Sequence, residues 1–522
     1  MRTFFRDGPA YSWYQVNGVA FCGYCIAEST YRSGLDAANW LKECLVCAEA
    51  PEDLFRSMNG SFCAVVEKAD SILFLVDRVR SLPLFYAKVG GELWVGDDAP
   101  ALAEALPHRE LDPLSAEILD DTKLFVTGQR TLLRELYQVE AGSFCAYDKN
   151  TQEIAVHPYF SMVPGELEQD PAVLMEEFHA AYQTAGRHLV QALRGRKAVI
   201  PLSGGADSRM VATMLKNQGY DNVLCFTYGR PGNEDSTLSR QAAEAFGFPW
   251  KMIPYTPGTW SALRKDPIFP AYCKFAFQYT STPHLQDFPA VRALHESGDL
   301  DRDSVFIPGH SGDLIAGSHI TPEFLRNTMT QEELLESVFS KFFILPPNAA
   351  IRLEIAGRFP ESGPECMEEK AAQSTWFNIQ ERQAKYIVNS VRAYEFFGYE
   401  WLIPLWDNVL FDFWAKVPLA LRYNRRLYFA AVNDTRVAFT ATPTLQKSLA
   451  EEIRRLPVVR TAARRGTRIL RYYRSRNYAE HLYPFAEYMR GCLFGNELFD
   501  IRHLICQQQL ENTKRLLYSG HE

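Results

Sequence analysis

The sequence predicts an α/β protein with two domains: a layered α+β domain at residues 1–165, and a parallel-sheet α/β domain at residues 166–522 with a largely helical extension. The length of 522 residues is the first reason, because a single ordinary core rarely grows so large. The second is a change from closely spaced strand patterns to alternating strands and helices. A Pro/Gly/acidic stretch between Pro164 and Pro171 separates the two patterns and predicts the junction.

The first part of the chain has the pattern of a sheet. Up to about residue 160, short apolar runs such as "SFCAVVE", "SILFLV" and "ELWVG" are separated by turn-forming residues. We expect "YSWYQVNGVAF" to be the first strand. The segment "LDAANWLKECLVCAEA" has apolar residues at helical spacing and predicts a helix between two groups of strands.

The second part opens with a long amphipathic helix and then alternates. Strand "KAVIPL", turn "SGGADS", helix "RMVATMLKNQG", strand "NVLCFTY" and helix "STLSRQAAEAFG" follow one another. This β-α-β-α order predicts a parallel sheet. From about Glu323 onward the pattern is largely helical and rich in aromatic residues.

Composition excludes several classes of protein. No apolar run reaches the ~18 residues of a membrane span, and "MRTFFRDGPAYSWYQ" lacks the apolar core of a signal peptide. We therefore expect a cytoplasmic protein. The net charge of −8 argues against generic nucleic-acid binding. Eleven scattered cysteines favour free thiols over a disulfide framework.

The turn "SGGADS" is the strongest chemical signal. A glycine-rich turn between a parallel strand and a helix directs backbone N–H groups and the positive helix end toward one point, which suits phosphate. Gly204 and Gly205 allow close approach, and Ser203 and Ser208 add hydroxyl donors. Asp207 would repel phosphate unless a cation stood between them, so the motif predicts a phosphate group bound with Mg²⁺. The alternative is a tight turn in which Asp207 caps the helix.

The motif resembles the pyrophosphate loop of the ATP pyrophosphatase superfamily, and nearly the whole chain resembles the asparagine synthetase family, β-lactam synthetases included. The stretch "IPGHSGDLIAGSH" takes the place of the family's second loop. The resemblance implies that Asp313 binds metal beside Asp207, and that Gly309 approaches the nucleotide. It also implies that the backbone at Leu202 and Tyr228 contacts adenine and ribose.

Proton handling is expected near the second loop. His310 stands where the family has a glutamate, which predicts a proton-transfer role, the alternative being a hydrogen bond within the loop. We expect Glu381 or Glu395 to pair with His310, Glu381 being preferred, although a solvated helix face also explains such charges. The family's C-terminal lysine has no counterpart between residues 450 and 510, so Lys447 or a nearby arginine is predicted to replace it.

The N-terminal part resembles the family's glutamine amidotransferase domain, which has an Ntn amidohydrolase-like fold. The resemblance rests on "MNGSFCAVVEKADSILFLVDRVRSLPLFYAKVGGELWVGDD", in which Arg80 replaces a glycine of the family pattern. The family's nucleophile is a cysteine directly after the initiator methionine, whereas this chain begins Met1-Arg2-Thr3. We therefore expect a degenerate domain, with the amine supplied by another molecule or by the substrate itself.

Four cysteines have a spacing seen in zinc sites. Cys22, Cys25, Cys44 and Cys47 fit C-x2-C-x18-C-x2-C. Burial is the competing interpretation, because the first pair lies in a strand, where the two positions face opposite sides of the sheet.

The segment Arg454–Arg476 holds nine arginines and no acid. Such a concentration of positive charge predicts an anionic acceptor or an anionic membrane surface as partner. An exposed helix with inward apolar residues is the alternative.

These observations together predict an ATP-dependent carbon–nitrogen ligase that forms AMP and pyrophosphate. It would adenylate a small-molecule, saccharide or peptide carboxylate and transfer it to an amine. The alternatives are an asparagine synthetase using ammonia or glutamine, an intramolecular cyclase of the β-lactam or lasso-peptide type, and a non-catalytic nucleotide-binding regulator. Assembly as a homodimer is compatible with all of them.

Overall fold

A computed structural model describes residues 1–434, except positions 7, 9, 48, 49, 163, 230, 257, 258, 260, 261, 264, 265, 344 and 345. The described chain is an α/β protein with three sheets, one of which is wholly parallel. The predicted fold class is thus confirmed in outline. The domain boundary at residue 165 and the amidohydrolase-like character of the first part stay predictions.

Two sheets form the N-terminal part. The larger has seven strands in the order β11-β10-β6-β5-β3-β2, with β4 beside β3, and the smaller has the order β1-β8-β7-β9. The strands are β1 Arg2–Phe4, β2 Trp13–Val16, β3 Val19–Ala27, β4 Thr30–Ser33, β5 Asn59–Glu67, β6 Ser71–Val76, β7 Phe85–Val89, β8 Glu92–Gly96, β9 Tyr137–Gln138, β10 Ser143–Asp148 and β11 Ile154–Pro158.

Alternating side chains divide these sheets into layers. In β5, Cys63 and Val65 join the core shared with the smaller sheet, whereas Phe62 and Ala64 face the opposite side. Helix Gly34–Cys47 packs on that opposite side through its buried face. The period of two along a strand thus builds one apolar layer between the sheets and another beneath the helix.

The predicted first strand is wrong in detail. The stretch "YSWYQVNGVAF" is a hairpin, because β2 and β3 pair in an antiparallel manner around Asn17 and Gly18. Both residues have positive φ, 47° and 83° respectively. An Asn-Gly pair adopts such angles readily and closes a tight hairpin turn.

The third sheet carries the predicted β-α-β-α unit. Its five parallel strands lie in the order β14-β13-β12-β15-β16. They are β12 Ala198–Pro201, β13 Val223–Gly229, β14 Trp250–Pro254, β15 Val305–Phe306 and β16 Glu400–Trp401. Because β12 and β15 are parallel neighbours, the loops that leave their carboxyl ends emerge side by side.

Helices surround the sheets. The α-helices are Gly34–Cys47, Pro51–Ser57, Ala99–Ala105, Pro113–Thr122, Pro171–Leu193, Ala206–Asn217, Glu234–Phe246, Ile268–Phe277, Phe288–Ser297, Gly312–Ile315, Gln331–Phe342, Ala349–Ala356, Met367–Phe377, Arg392–Phe396, Asn408–Lys416, Leu419–Arg422 and Arg426–Asn433. Short 3₁₀ turns occupy Pro322–Leu325, Val388–Val391, Pro404–Trp406 and Tyr423–Arg425, and Asn378–Ile387 is π-helical.

The core runs across the predicted domain boundary. Cys63 of the larger N-terminal sheet, Tyr182 of the long helix and Val199 of the parallel sheet belong to one apolar cluster. The Nη1 atom of Arg78 also donates to Asp412 Oδ1 at 2.6 Å, which links the two parts by an ion pair. The N-terminal sheets and the parallel sheet therefore pack as neighbours.

Among the described residues, no helix combines the length and the apolar character needed to cross a membrane.

Asp97, directly after β8, is a carboxylate in a low-polarity setting. Its Oδ1 accepts from the Arg6 backbone N–H at 2.7 Å and from Trp13 Nε1 at 3.0 Å. Burial, partly offset by Arg6, raises the pKa of Asp97 to about 6. The native state therefore binds this proton more tightly than the unfolded chain does.

We expect Asp97 to make stability depend on pH. The tighter proton binding of Asp97 in the folded protein adds to the free energy of unfolding. This contribution is fully present below the unfolded pKa of about 3.9 and is lost as the pH rises through about 6. The variant Asp97→Asn, which keeps an acceptor oxygen, should gain stability over the natural protein across this window, on the order of 1–3 kcal/mol. Thermal unfolding between pH 4.5 and 7.5 measures this. The exposed control Asp70→Asn should differ from the natural protein in stability by the same amount at every pH. A difference for Asp97→Asn that is equally independent of pH would contradict the prediction.

Candidate functional site

The loop Ser203–Ser208 connects β12 to the helix Ala206–Asn217, as predicted. No side chain caps this helix, and its N-cap residue is Gly205. The first-turn N–H groups therefore have no side-chain acceptor at the cap, and the positive end of the helix dipole lies behind them. This is the local arrangement that holds phosphate in other proteins.

The two serines fix the shape of the loop. The Ser203 backbone N–H donates to Ser208 Oγ at 3.0 Å, the two hydroxyl oxygens lie 3.0 Å apart, and the Gly205 N–H donates to Ser203 Oγ at 3.1 Å. Both hydroxyls are therefore engaged within the loop, where the sequence predicted them to be donors to phosphate.

Gly204 makes room for the neighbouring helix. Its N–H donates to Asp235 Oδ1 at 2.8 Å, and an added Cβ would lie 2.9 Å from that oxygen and 3.0 Å from Leu238 Cδ1. The carboxylate of Asp235 thus accepts the hydrogen bond of one N–H group of the loop. Asn233 caps helix Glu234–Phe246 by accepting from the Ser236 N–H at 2.7 Å.

The second loop packs directly on the first. A Cβ at Gly309 would lie only 2.6 Å from the backbone nitrogen of Ser208, so no side chain fits there. The Asp313 N–H donates to Asp207 Oδ2 at 3.2 Å. Asp207 and Asp313 are therefore brought together, and Asp207 does not act as the cap of its own helix.

The electrostatics of this pair suit a divalent cation. Burial, and next the negative charge of Asp313, raise the pKa of Asp207 to about 7. Arg425 Nη1 lies 3.6 Å from Asp313 Oδ2 and offsets part of the negative charge. No cluster of three or more His, Cys, Asp or Glu occurs among the described residues, but Mg²⁺ commonly takes one or two carboxylates and completes its shell with water and phosphate oxygens. The pair fits such an ion.

Tyr428 is a site residue that the sequence did not single out. It is 1% exposed, and its hydroxyl donates to Asp207 Oδ1. Helix Arg426–Asn433 positions it, and the preceding turn places Arg425 at Asp313. Nothing in the spacing of "RYNRRLY" indicates this contact, since it joins residues 221 positions apart.

His310 belongs to the second loop and contacts the helical segment that precedes β16. Its Nε2 atom is 2.8 Å from Ser390 Oγ, while its Nδ1 atom is buried without a hydrogen-bond partner among the described residues. Burial lowers the pKa of His310 to about 4, so the ring is neutral at pH 7. A neutral imidazole with one free nitrogen can accept a proton.

Neither predicted glutamate is bonded to His310. Glu381 is fully buried and accepts from the Gly128 N–H at 3.0 Å and from Lys385 Nζ at 2.5 Å. Glu395 accepts from Arg392 and from Trp401 Nε1. Both carboxylates are held in buried ion pairs because a buried charge needs a partner, so they do not lie on a solvated helix face. Their catalytic roles stay predictions.

Some polar groups of the two residues predicted to contact the nucleotide, Leu202 and Tyr228, form hydrogen bonds within the protein. The Leu202 N–H donates to Phe226 O and its carbonyl accepts from Ser239 Oγ, at 2.8 and 2.6 Å. The Tyr228 hydroxyl donates to Asp287 Oδ1 at 2.5 Å. Lys447 and the arginine-rich segment Arg454–Arg476 lie outside the described residues.

The cysteines of the first part follow the burial interpretation. Cys22 faces the core between the sheets and Cys25 the opposite layer, as their strand positions predict. Cys47 is exposed at the end of its helix. The four thiols therefore do not form a common cluster.

Comparison with known proteins identifies the segment that holds this site. Residues 191–429 match the family model described as asparagine synthase. The chain is 32% identical over 161 residues to the carboxyethyl-arginine beta-lactam-synthase of Streptomyces clavuligerus. This match covers 30% of the chain and 28% of that relative.

Among solved structures, the likenesses are weak. The NH3-dependent NAD synthetase from Campylobacter jejuni has 14% identity and a TM-score of 0.20, covering 37% of this chain and 99% of that one. The glutamine phosphoribosylpyrophosphate amidotransferase from B. subtilis has 10% identity and a TM-score of 0.19, covering 69% of this chain and 78% of that one. Scores this low carry no argument about fold or function.

The matched segment contains both loops and Tyr428, so the part of the chain that holds the site is similar to the asparagine synthase family.

Proposed function

We propose that this chain is an ATP-dependent ligase that activates a substrate carboxylate as an acyl-adenylate, releases pyrophosphate, and transfers the acyl group to an amine. The observation that carries the proposal is the meeting of Asp207 and Asp313 beside the first turn of helix Ala206–Asn217. One place thus combines N–H donors for phosphate with a pair of acids for a cation.

The chemistry assigns a task to each part of the site. The N–H groups in the first turn of helix Ala206–Asn217, which has no side-chain cap, would hold the phosphates of ATP while the substrate carboxylate attacks the α-phosphorus and pyrophosphate leaves. Asp207 and Asp313 would hold Mg²⁺, which neutralises phosphate charge when bound. His310, whose Nδ1 atom has no hydrogen-bond partner among the described residues, would take the proton from the attacking amine.

The amine is proposed to come from a source other than glutamine hydrolysis by this chain. Cys22 and Cys25 lie within β3, which pairs with β2, β4 and β5. Burial raises the pKa of Cys25 to about 12, so that thiol is protonated. A buried thiol in the middle of a paired strand is a poor nucleophile, since the thiolate is the reactive form.

A second candidate is an intramolecular amide-forming cyclase. It is favoured by the similarity of 161 residues to the carboxyethyl-arginine beta-lactam-synthase of Streptomyces clavuligerus. In both candidates His310 would take a proton from the attacking amine. The two candidates differ in whether product appears without an added amine.

ATP–pyrophosphate exchange should require both acids. We expect Asp207→Asn and Asp313→Asn each to lower carboxylate-dependent exchange by more than about a hundredfold, because each loses a metal ligand worth several kcal/mol. The panel would include aspartate, uronic acids and peptides. Asp221→Asn, at an exposed ion pair with Lys216, is the control and should exchange normally. Full exchange by Asp207→Asn would refute the assignment, and no exchange by the natural protein with any carboxylate would favour a non-catalytic regulator.

Replacement of His310 should separate the two half-reactions. We expect His310→Gln to slow amide formation by about 10²- to 10⁴-fold, the usual contribution of a general base, while exchange stays near that of the natural protein. Ser390→Ala, which removes only the partner of Nε2, should have a smaller effect. Product formation and exchange measured on the same preparations test this, and an equal loss of both would contradict the base role.

Glutamine should not be hydrolysed. We expect no release of glutamate from glutamine, since the thiols of Cys22 and Cys25 are buried within β3. A coupled glutamate assay with and without ATP measures it. Release that disappears in Cys22→Ala or Cys25→Ala would contradict this part of the proposal.

A further inference from the structure

Tyr428 reaches the candidate metal site from a segment of the chain that belongs to neither loop. Its ring is buried in the same apolar cluster as Trp414, and the two ring centroids lie 6.3 Å apart. Its hydroxyl donates to Asp207 Oδ1. Apolar packing therefore holds the ring in place, while its polar end contacts one of the two acids.

The carboxylate of Asp207 has a hydrogen-bond donor on each oxygen. Oδ1 accepts from the Tyr428 hydroxyl, and Oδ2 accepts from the Asp313 N–H at 3.2 Å. A carboxylate offers roughly four lone-pair sites, so both oxygens can still bind a cation. The two donors come from different segments and fix the plane of the carboxylate, because its rotation would move both oxygens away from their donors.

The segment that carries Tyr428 is attached to the second loop. Arg425, in the turn before helix Arg426–Asn433, has its Nη1 atom 3.6 Å from Asp313 Oδ2. Gly317 of the second loop has φ of +104°, and an added Cβ would lie 2.5 Å from the Arg422 carbonyl oxygen. The two backbones are therefore in direct contact, and one short stretch of chain brings a positive or donor group to each acid.

These two groups differ in strength. The side chain of Arg425 is 34% exposed and lies beyond hydrogen-bond distance of Asp313, and such a partly solvated pair contributes little. The Tyr428 hydroxyl is buried and donates directly to a charged acceptor, which makes a stronger bond. Tyr428 is therefore the main support that this segment gives to the pair of acids.

We propose that Tyr428 is a positioning residue of the metal site. Its hydroxyl holds the Asp207 carboxylate in the orientation that binds Mg²⁺, so that the packing of helix Arg426–Asn433 sets the affinity for the metal. The inference rests on the proposed function, in which Asp207 and Asp313 hold that ion. Hydrogen bonds to metal-binding carboxylates typically account for about 10- to 100-fold in metal affinity or activity.

Direct metal binding tests the proposal without turnover. Mn²⁺ is paramagnetic and prefers the same oxygen ligands as Mg²⁺. It is titrated into the full-length protein, alone and beside the non-cleavable analogue α,β-methylene-ATP, and the free ion is measured by electron paramagnetic resonance. We expect Tyr428→Phe to bind Mn²⁺ about 10- to 100-fold more weakly than the natural protein. The variant keeps the buried ring and should fold, which its melting temperature without metal checks.

Tyr423→Phe is the matched control. It makes the same chemical change five residues earlier, at a ring that packs against the cluster containing Phe324, and it should bind Mn²⁺ as the natural protein does. Unchanged affinity in Tyr428→Phe would overturn the inference and leave the proposed metal site intact. Higher affinity would also overturn it, because the hydroxyl would then occupy a place that the metal needs. Absence of Mn²⁺ binding to the natural protein in both conditions would remove the metal from the proposed function, and this inference with it.

Crystals of the natural protein grown with Mn²⁺ give a test that needs no variant. Anomalous density at Asp207, with the Tyr428 hydroxyl still within hydrogen-bond distance of Oδ1, supports the proposal. Metal at Asp207 with the hydroxyl turned away from it would overturn the positioning role.

Discussion

The contact between the two loops that leave β12 and β15 is the constraint on which the site depends. The strands are parallel neighbours, so their carboxyl ends lie at the same edge of the sheet. Gly309 lies against the peptide of Asp207 and Ser208 so closely that a Cβ would not fit. This approach brings the backbone of Asp313 to the carboxylate of Asp207. Burial, and next the negative charge of Asp313, raise the pKa of Asp207.

The helical segment 378–391, which precedes β16, contacts the second loop and helps to hold it in place. Glu381 and Lys385 form a buried ion pair that is bonded to the backbone of residues 126–128. Between them, Gln383 accepts from Ser311 of the second loop. Because removing one member of a buried pair leaves an uncompensated charge, such groups hold a segment firmly in place. Glu381 and Lys385 thus attach the helical segment that holds the second loop to residues 126–128 of the N-terminal part.

The sequence predicted the local elements well. The strand, turn and helix around Ser203–Ser208 follow from hydrophobic period and glycine placement, which are properties of neighbouring residues. The helix at Gly34–Cys47 and the opposite facing of Cys22 and Cys25 follow for the same reason. The hairpin at Asn17 and Gly18 was within reach of the same rules, since the Asn-Gly pair is a known turn signal.

What the sequence by itself determined is therefore the local structure of the first loop: the strand before it, the helix after it, its glycines and the acid Asp207. The tertiary structure alone decided the partners. Tyr428 reaches Asp207 across 221 positions, and Ser390 takes the place expected for a glutamate at His310. The physical reason is that periodicity and turn rules act over a few residues, whereas these contacts depend on how distant elements pack and on which buried charges must be neutralised.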